Sequence, residues 1–139
     1  QGGRNADGYS GNPQTPGGNK GGGTDVEHKW AQDIPIYVRG MVLADQSLCL
    51  VGPPDFTNEH EAFAQLSTRD SQVLEQLEQQ DDALRGDKGS KLMIVNADTS
   101  EVTFTLDLDL LPVWDGLATA KGKLYLSTTD GRIVSFVGE

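Results

Sequence analysis

The chemistry open to this sequence rests on few residues: one cysteine, two histidines and scattered carboxylates. Cys49 lies in the apolar run Ser47–Val51, opposite in phase to Leu48 and Leu50, with no histidine or basic residue beside it. A thiol becomes nucleophilic when a nearby cation stabilises its thiolate, so Cys49 reads as a buried apolar thiol rather than a reactive one. His28 and His60 follow no metal-ligand spacing and read as surface residues. Asp107 and Asp109 alternate on one strand face beside Leu106, Leu108 and Leu110; their oxygens suit calcium, but a solvated strand face explains them equally simply. Asp98 and Asp130 fall in turn sequences, where a carboxylate bonds the local backbone. A lone cysteine excludes an internal disulfide and any multi-cysteine metal site. Nothing gathers an acid, a base and a nucleophile, so the expectation is a non-catalytic chain with no metal and no cofactor.

The elements that carry these residues are uneven along the 139-residue chain. Nine of its 17 glycines fall within residues 1–23, and residues 1–27 form a Gly/Pro-rich arm with little apolar content beyond Tyr9 and Val26. Composition alone makes such an arm a linker. If it is ordered, it must be extended and held by another chain, through Gly2, Gly3, Tyr9, Pro13, Pro16, Gly22 and Val26. Residues 28–139 are the second unit, long enough for one domain with its own core. The net charge of −10 argues against nucleic acid and anionic membrane as partners. No apolar run approaches the ~20 residues of a membrane-spanning helix, so membrane insertion is not expected. Gln1 in place of an initiator methionine reads as a processed start, and with the lone cysteine it favours a secreted or cell-surface protein, the periplasm being an alternative. There is no Asn-x-Ser/Thr sequon; Ser10, Thr15 and Thr24 offer hydroxyls for O-linked glycan.

From Trp30 onward, short apolar runs alternate with turn signals, the pattern of antiparallel strands in a meander. The expected strands are Ile34–Val38, Met41–Ala44, Ser47–Val51, Lys91–Asn96, Val102–Leu108, Leu117–Ala120, Lys123–Thr128 and Arg132–Val137. Alternation selects Met41, Leu43, Leu48, Leu50, Leu92, Ile94, Phe104, Leu106, Leu117, Leu124, Leu126, Ile133 and Phe136 as the core. Residues 53–90 break the pattern. They open with Pro53, Pro54 and Asp55, lose β-branched residues, and carry nine acids. Helical spacing there gives a short helix near Glu59–Leu66 and a longer one near Ser71–Arg85, capped by Asp70 or Ser71 and ended by Gly86. This insert is expected to be peripheral, with Phe63, Leu66, Leu74 and Leu77 facing a sheet edge or a neighbour.

An internal repeat organises the strands. Arg39–Leu50 (RGMVLADQSLCL) aligns without gaps on Asp115–Leu126 (DGLATAKGKLYL), matching Gly40/Gly116, Met41/Leu117, Ala44/Ala120, Leu48/Leu124 and Leu50/Leu126. Both copies follow a proline, Pro35 and Pro112. Without the insert, the period is about 40 residues, the length of a four-stranded propeller blade. Five stretches carry a resemblance: Val38–Ala44 (VRGMVLA), Leu48–Asp55 (LCLVGPPD), Gly86–Leu92 (GDKGSKL), Pro112–Gly116 (PVWDG) and Leu124–Val134 (LYLSTTDGRIV). Across roughly Trp30–Val137 the chain resembles the PQQ-like (quinoprotein-dehydrogenase-like) β-propeller repeats, and in particular the C-terminal blades of large exported bacterial members without cofactor.

The resemblance implies an all-β fold of about two antiparallel propeller-like blades, with a helical insert and the extended N-terminal arm. It places Trp30, Trp114, Pro35 and Pro112 at blade junctions, with Trp114 as a buried wedge. Quinone catalysis of the related enzymes uses adjacent cysteines, which this chain lacks. A propeller needs four or more blades. Two blades with open edges therefore imply either a multi-chain assembly of further copies or other protein chains, a filament included, or a piece of a larger propeller that binds a sugar, peptide or cofactor.

Overall fold

The computed structural model describes residues 27–58, 62–64 and 71–138. The arm residues Gly2, Gly3, Tyr9, Pro13, Pro16, Gly22 and Val26, with His60, Leu66 and Asp70, lie outside them.

The chain builds two antiparallel meanders. Sheet 1 has the order β1 (Gly40–Ala44), β2 (Ser47–Gly52), β3 (Ser90–Asn96) and β4 (Val102–Leu108). Sheet 2 has the order β5 (Pro112–Ala120), β6 (Lys123–Thr128) and β7 (Ile133–Val137). Between β2 and β3 runs helix α1 (Ser71–Arg85), preceded by helical residues 62–64. The fold is therefore mostly β, with two sheets and helical excursions from the first.

The repeat is visible in backbone register. Met41 faces Leu50 and Ala44 faces Ser47; likewise Leu117 faces Leu126 and Ala120 faces Lys123. The two hairpin turns match at their first residue, where Asp45 and Lys121 both take φ 51°, and differ at the second, where Gly122 takes φ 71° and Gln46 does not take positive φ. Left-handed backbone of this kind suits the twist of a tight hairpin. The Asp130-Gly131 signal sits in a longer turn, where Thr128 N–H donates to Arg132 O at 2.9 Å and Gly131 takes φ 83°.

Strand alternation gives each sheet two faces. The front face of sheet 1 carries Met41, Leu43, Leu48, Leu50, Met93 and Val95; the back face carries Gly40, Val42, Cys49, Val51, Leu92 and Ile94. In sheet 2 the front face carries Leu117, Leu124 and Leu126, and the back face Ala118, Tyr125, Ile133 and Val137. The back of sheet 1 packs on the front of sheet 2: Cys49, Val51, Leu92, Leu117, Leu124 and Leu126 form one buried cluster. A second cluster, Ile36, Leu50, Met93 and Val95, forms where Trp30, Ile34 and Val38 cover the front of sheet 1. Each fully buried leucine or valine here contributes about 1.5–3 kcal/mol of transfer free energy.

This layering corrects the expected core. Leu50, Leu92, Leu117, Leu124 and Leu126 are buried, and Leu48, Ile94 and Phe136 partly so. Met41 (63% exposed), Leu43 (58%), Phe104 (46%), Leu106 (38%) and Ile133 (74%) are not. Their alternation is regular, but nothing among the described residues covers those parts of the sheet faces. The segment Ile34–Val38 is not a strand either; a single bridge, Ile36 to Pro54, joins it to the sheet, and its apolar residues act as a cover.

Helix α1 buries Val73 and Ala83, whereas Phe63 and Leu74 are exposed. Leu77 of the expected face is half-buried, so within the chain that face is covered only in part. The helix is held by polar anchors: Gln80 Oε1 accepts from Phe56 N–H (2.7 Å), its Nε2 donates to Pro54 O (3.2 Å), and Arg39 Nη2 donates to Leu84 O (2.7 Å). Gly86 ends the helix at φ 102°, with Asp87 N–H bonded back to Asp82 O at 3.0 Å.

Candidate functional site

Where the two sheets meet, the two starts of the repeat lie side by side. Asp115 N–H donates to Arg39 O at 2.8 Å, and a methyl group on Gly40 would meet Leu117 Cβ at 3.0 Å. The Arg39 guanidinium donates to Pro112 O (3.3 Å) and Leu84 O, and lies 5.2 Å from the centre of the Trp114 ring. Trp114 meets Tyr37 edge-on, with ring centres 6.0 Å apart. Arg39 thus joins α1, β5 and the indole, and its charge favours the carbonyl end of the helix.

The reading of Trp114 as a buried wedge is corrected: it is 59% exposed. The register between Pro112 and Leu117 is irregular, and the indole meets Tyr37 and Arg39 instead of entering the sheet interface. Trp30 is half-buried on the front of sheet 1, its Nε1 donating to Ala97 O at 2.7 Å. Pro112 is fully buried in β5, and Pro35 is exposed, its carbonyl accepting from Asp55 N–H at 3.1 Å.

The remaining candidates separate. Cys49 is buried in the cluster between the sheets, and burial pushes its thiol pKa up. Such a thiol is a poor nucleophile. Asp107 pairs across the sheet with Lys91. Asp98 pairs with Lys29 at 3.3 Å, and the local turn is instead bonded by Asn96, whose Oδ1 accepts from Asp98 N–H (2.9 Å) and Thr99 N–H (3.0 Å). Asp130 accepts from Arg132 Nε at 2.7 Å and from the Thr128 hydroxyl, which lower its pKa from 3.8 to about 2. His28 is exposed. No group of three metal-ligating side chains occurs among the described residues.

Two surfaces stand out. A cleft of about 1110 Å³ opens where the sheets diverge, with Leu92, Ile94, Phe104 and Leu106 of sheet 1 facing Leu124 and Phe136 of sheet 2. Beyond it, two apolar sheet faces are open at opposite ends of the stack: Met41 and Leu43 on the front of sheet 1, and Ile133 and Val137 (66% exposed) on the back of sheet 2. Arg39 and these open faces were the features that residue types alone did not mark.

Comparison with protein-family models, with curated proteins and with solved structures finds no match to this chain.

Proposed function

We propose that the chain is a non-catalytic structural subunit, an exported, propeller-like protein that works within a multi-chain, filament-forming assembly. The observation that carries this reading is the directional stack: the back of one sheet covers the front of the next, and the same two kinds of face stay open at the ends. Exposed apolar sheet faces of this kind mark interaction surfaces. β7 and β4 also have free edges among the described residues, where a further strand adds by backbone pairing. The glycine-rich residues 1–27 reach a neighbouring copy in this reading and lie along such an edge.

Size-exclusion chromatography with negative-stain imaging tests it. Concentration-dependent oligomers or fibres are expected, and removal of residues 1–23 leaves the β signal intact while weakening assembly. A stable monomer at micromolar concentration overturns the reading; assembly that is normal without residues 1–23 removes the arm from it.

A further inference from the structure

The interface between the sheets stops one strand short on one side. Sheet 1 has four strands and sheet 2 has three, so the back of β4 overhangs the free edge of β7. Leu92 on β3 is 2% exposed, while its cross-strand neighbour Leu106, on the same face of β4, is 38% exposed. Phe104, beside Ile94, is open in the same way. The cleft between the sheets occupies this place. Phe104 and Leu106 form one of its walls, and Ser135, Phe136 and Val137 of β7 line the other.

The backbone of β7 is open at the same place. Thr128 N–H bonds to Arg132 O at the turn, which sets the phase of the β6–β7 ladder. Bonding alternates along an antiparallel pair. Val134 and Phe136 therefore turn their backbone groups to β6, and Ile133, Ser135 and Val137 turn theirs outward. The repeat gives the same phase. Asn96 pairs with Ser47 and Val137 with Lys123; Ser47 and Lys123 are repeat-equivalent, so Asn96 corresponds to Val137. Asn96 N–H donates to Glu101 O at 2.8 Å, on the side of the fourth strand. In sheet 1 that side is taken by β4; in sheet 2 no strand takes it among the described residues.

We infer that β7 takes up an extended segment of a partner chain, matched to its five residues, whose alternate apolar side chains turn inward onto Phe104 and Leu106. The row of unpaired backbone groups admits a strand. The apolar wall requires the inward positions of that strand, opposite Val134 and Phe136, to be apolar. Such a strand continues the buried cluster of Leu92, Leu124 and Leu126 outward by one position. The edge of β4 is free as well, but a strand there would lie beyond sheet 2, and the other face of β4 carries Thr103, Thr105 and Asp107. It would gain backbone bonds with little burial. Residues 1–27 have little apolar content and no alternation, so they do not supply the strand for β7. This site rests on the strand-addition part of the reading above and fixes the edge and the kind of sequence that fits it.

The test uses the full chain and the end-capped peptide KTITLTK, whose isoleucine and leucine occupy the inward positions, with KTSTSTK as its control. In amide exchange followed by NMR, near-saturating KTITLTK should slow exchange at Ile133, Ser135 and Val137 about tenfold. KTSTSTK should bind at least about tenfold more weakly. Ser135→Pro removes the middle outward donor, a change that an edge strand tolerates, and should abolish the effect. Phe104→Ser/Leu106→Ser leaves the edge intact and should weaken KTITLTK binding at least about tenfold, which gives the reading if the proline disturbs β7. Far-UV circular dichroism checks both folds. No binding of KTITLTK up to about 1 mM, equal binding of KTSTSTK, unchanged binding by both variants, or protection on β4 instead of β7 overturns the inference. Size-exclusion chromatography of the chain alone separates it from the assembly reading. A chain that assembles but ignores the peptide keeps assembly and loses this site; a monomeric chain that binds the peptide at β7 loses assembly and keeps this site.

Discussion

Gly52 has no room for a methyl group. A Cβ there would stand 1.9 Å from the Tyr37 carbonyl oxygen, a backbone atom held in place by the bond from Tyr37 N–H to Pro53 O at 2.8 Å. Gly52→Ala is expected to cost at least the ~1–3 kcal/mol of an overpacked site, read as a lower denaturant midpoint. Its repeat equivalent is Thr128, buried, with a hydroxyl that accepts from Arg132 N–H at 3.1 Å. The repeat therefore preserves the strand but not the local packing. At this same turn, Asp130 carries a testable pH response. Its folded pKa is lowered to about 2 by Arg132 and then Thr128, so its contribution is present above the ordinary 3.8 and is lost as pH falls through about 2. In Asp130→Asn, stability measured by urea unfolding should fall less steeply between about pH 4 and 2 than in wild type. An identical slope would show that the exposed carboxylate has no measurable effect.

At the scale of elements, α1 depends on one side chain from outside the helix. Arg39 donates to Leu84 O and faces the Trp114 ring, while only Val73 and Ala83 of the helix are buried. Arg39→Met keeps the length of the side chain and removes its donors. Loss of a charge-assisted hydrogen bond costs about 1.5–3 kcal/mol, so amide exchange in the last turns of α1 should accelerate while that of β2 and β3 does not. Equal acceleration in the sheet would make Arg39 a prop of the whole fold. The elements themselves were legible because they follow local rules. Val102–Leu108 and Lys123–Thr128 alternate cleanly, Ser71–Arg85 has helical spacing, and Gly86 marks its end. The burial of those elements was not legible to the same degree. Met41 and Leu117 are equivalent in sequence, yet one is 63% exposed and the other 8%. What differs is whether a sheet lies over the face, which is a long-range fact that alternation does not encode. Phe63 and Leu74 are exposed within the chain for the same reason: helical spacing defines an apolar stripe without saying what covers it. The Arg39 junction was hidden because it joins residues from three separate stretches, Tyr37 and Arg39, Leu84, and Pro112–Asp115.

At the scale of the molecule, both sheets contribute to one cluster, and it is the one in which sheet 2 buries its front face. Cys49, Val51 and Leu92 come from sheet 1 and Leu117, Leu124 and Leu126 from sheet 2. Leu126 is completely buried at their centre. Truncating it removes transfer free energy and leaves a cavity that strands on both sides cannot close, since each is fixed by its own ladder. Leu126→Ala should therefore cost about 2–5 kcal/mol. Cys49 gives a reporter within the same cluster and Trp30 a reporter on the opposite side of sheet 1, where it covers the second cluster. If the stack unfolds as one unit, thiol labelling of Cys49 and the fluorescence of Trp30, isolated by Trp114→Phe, follow a single denaturant transition, and Leu126→Ala moves both midpoints by the same amount. A variant in which Cys49 becomes reactive at a denaturant concentration that leaves the fluorescence unchanged would show the sheets separating before sheet 1 unfolds. The interface between them would then be a weak joint.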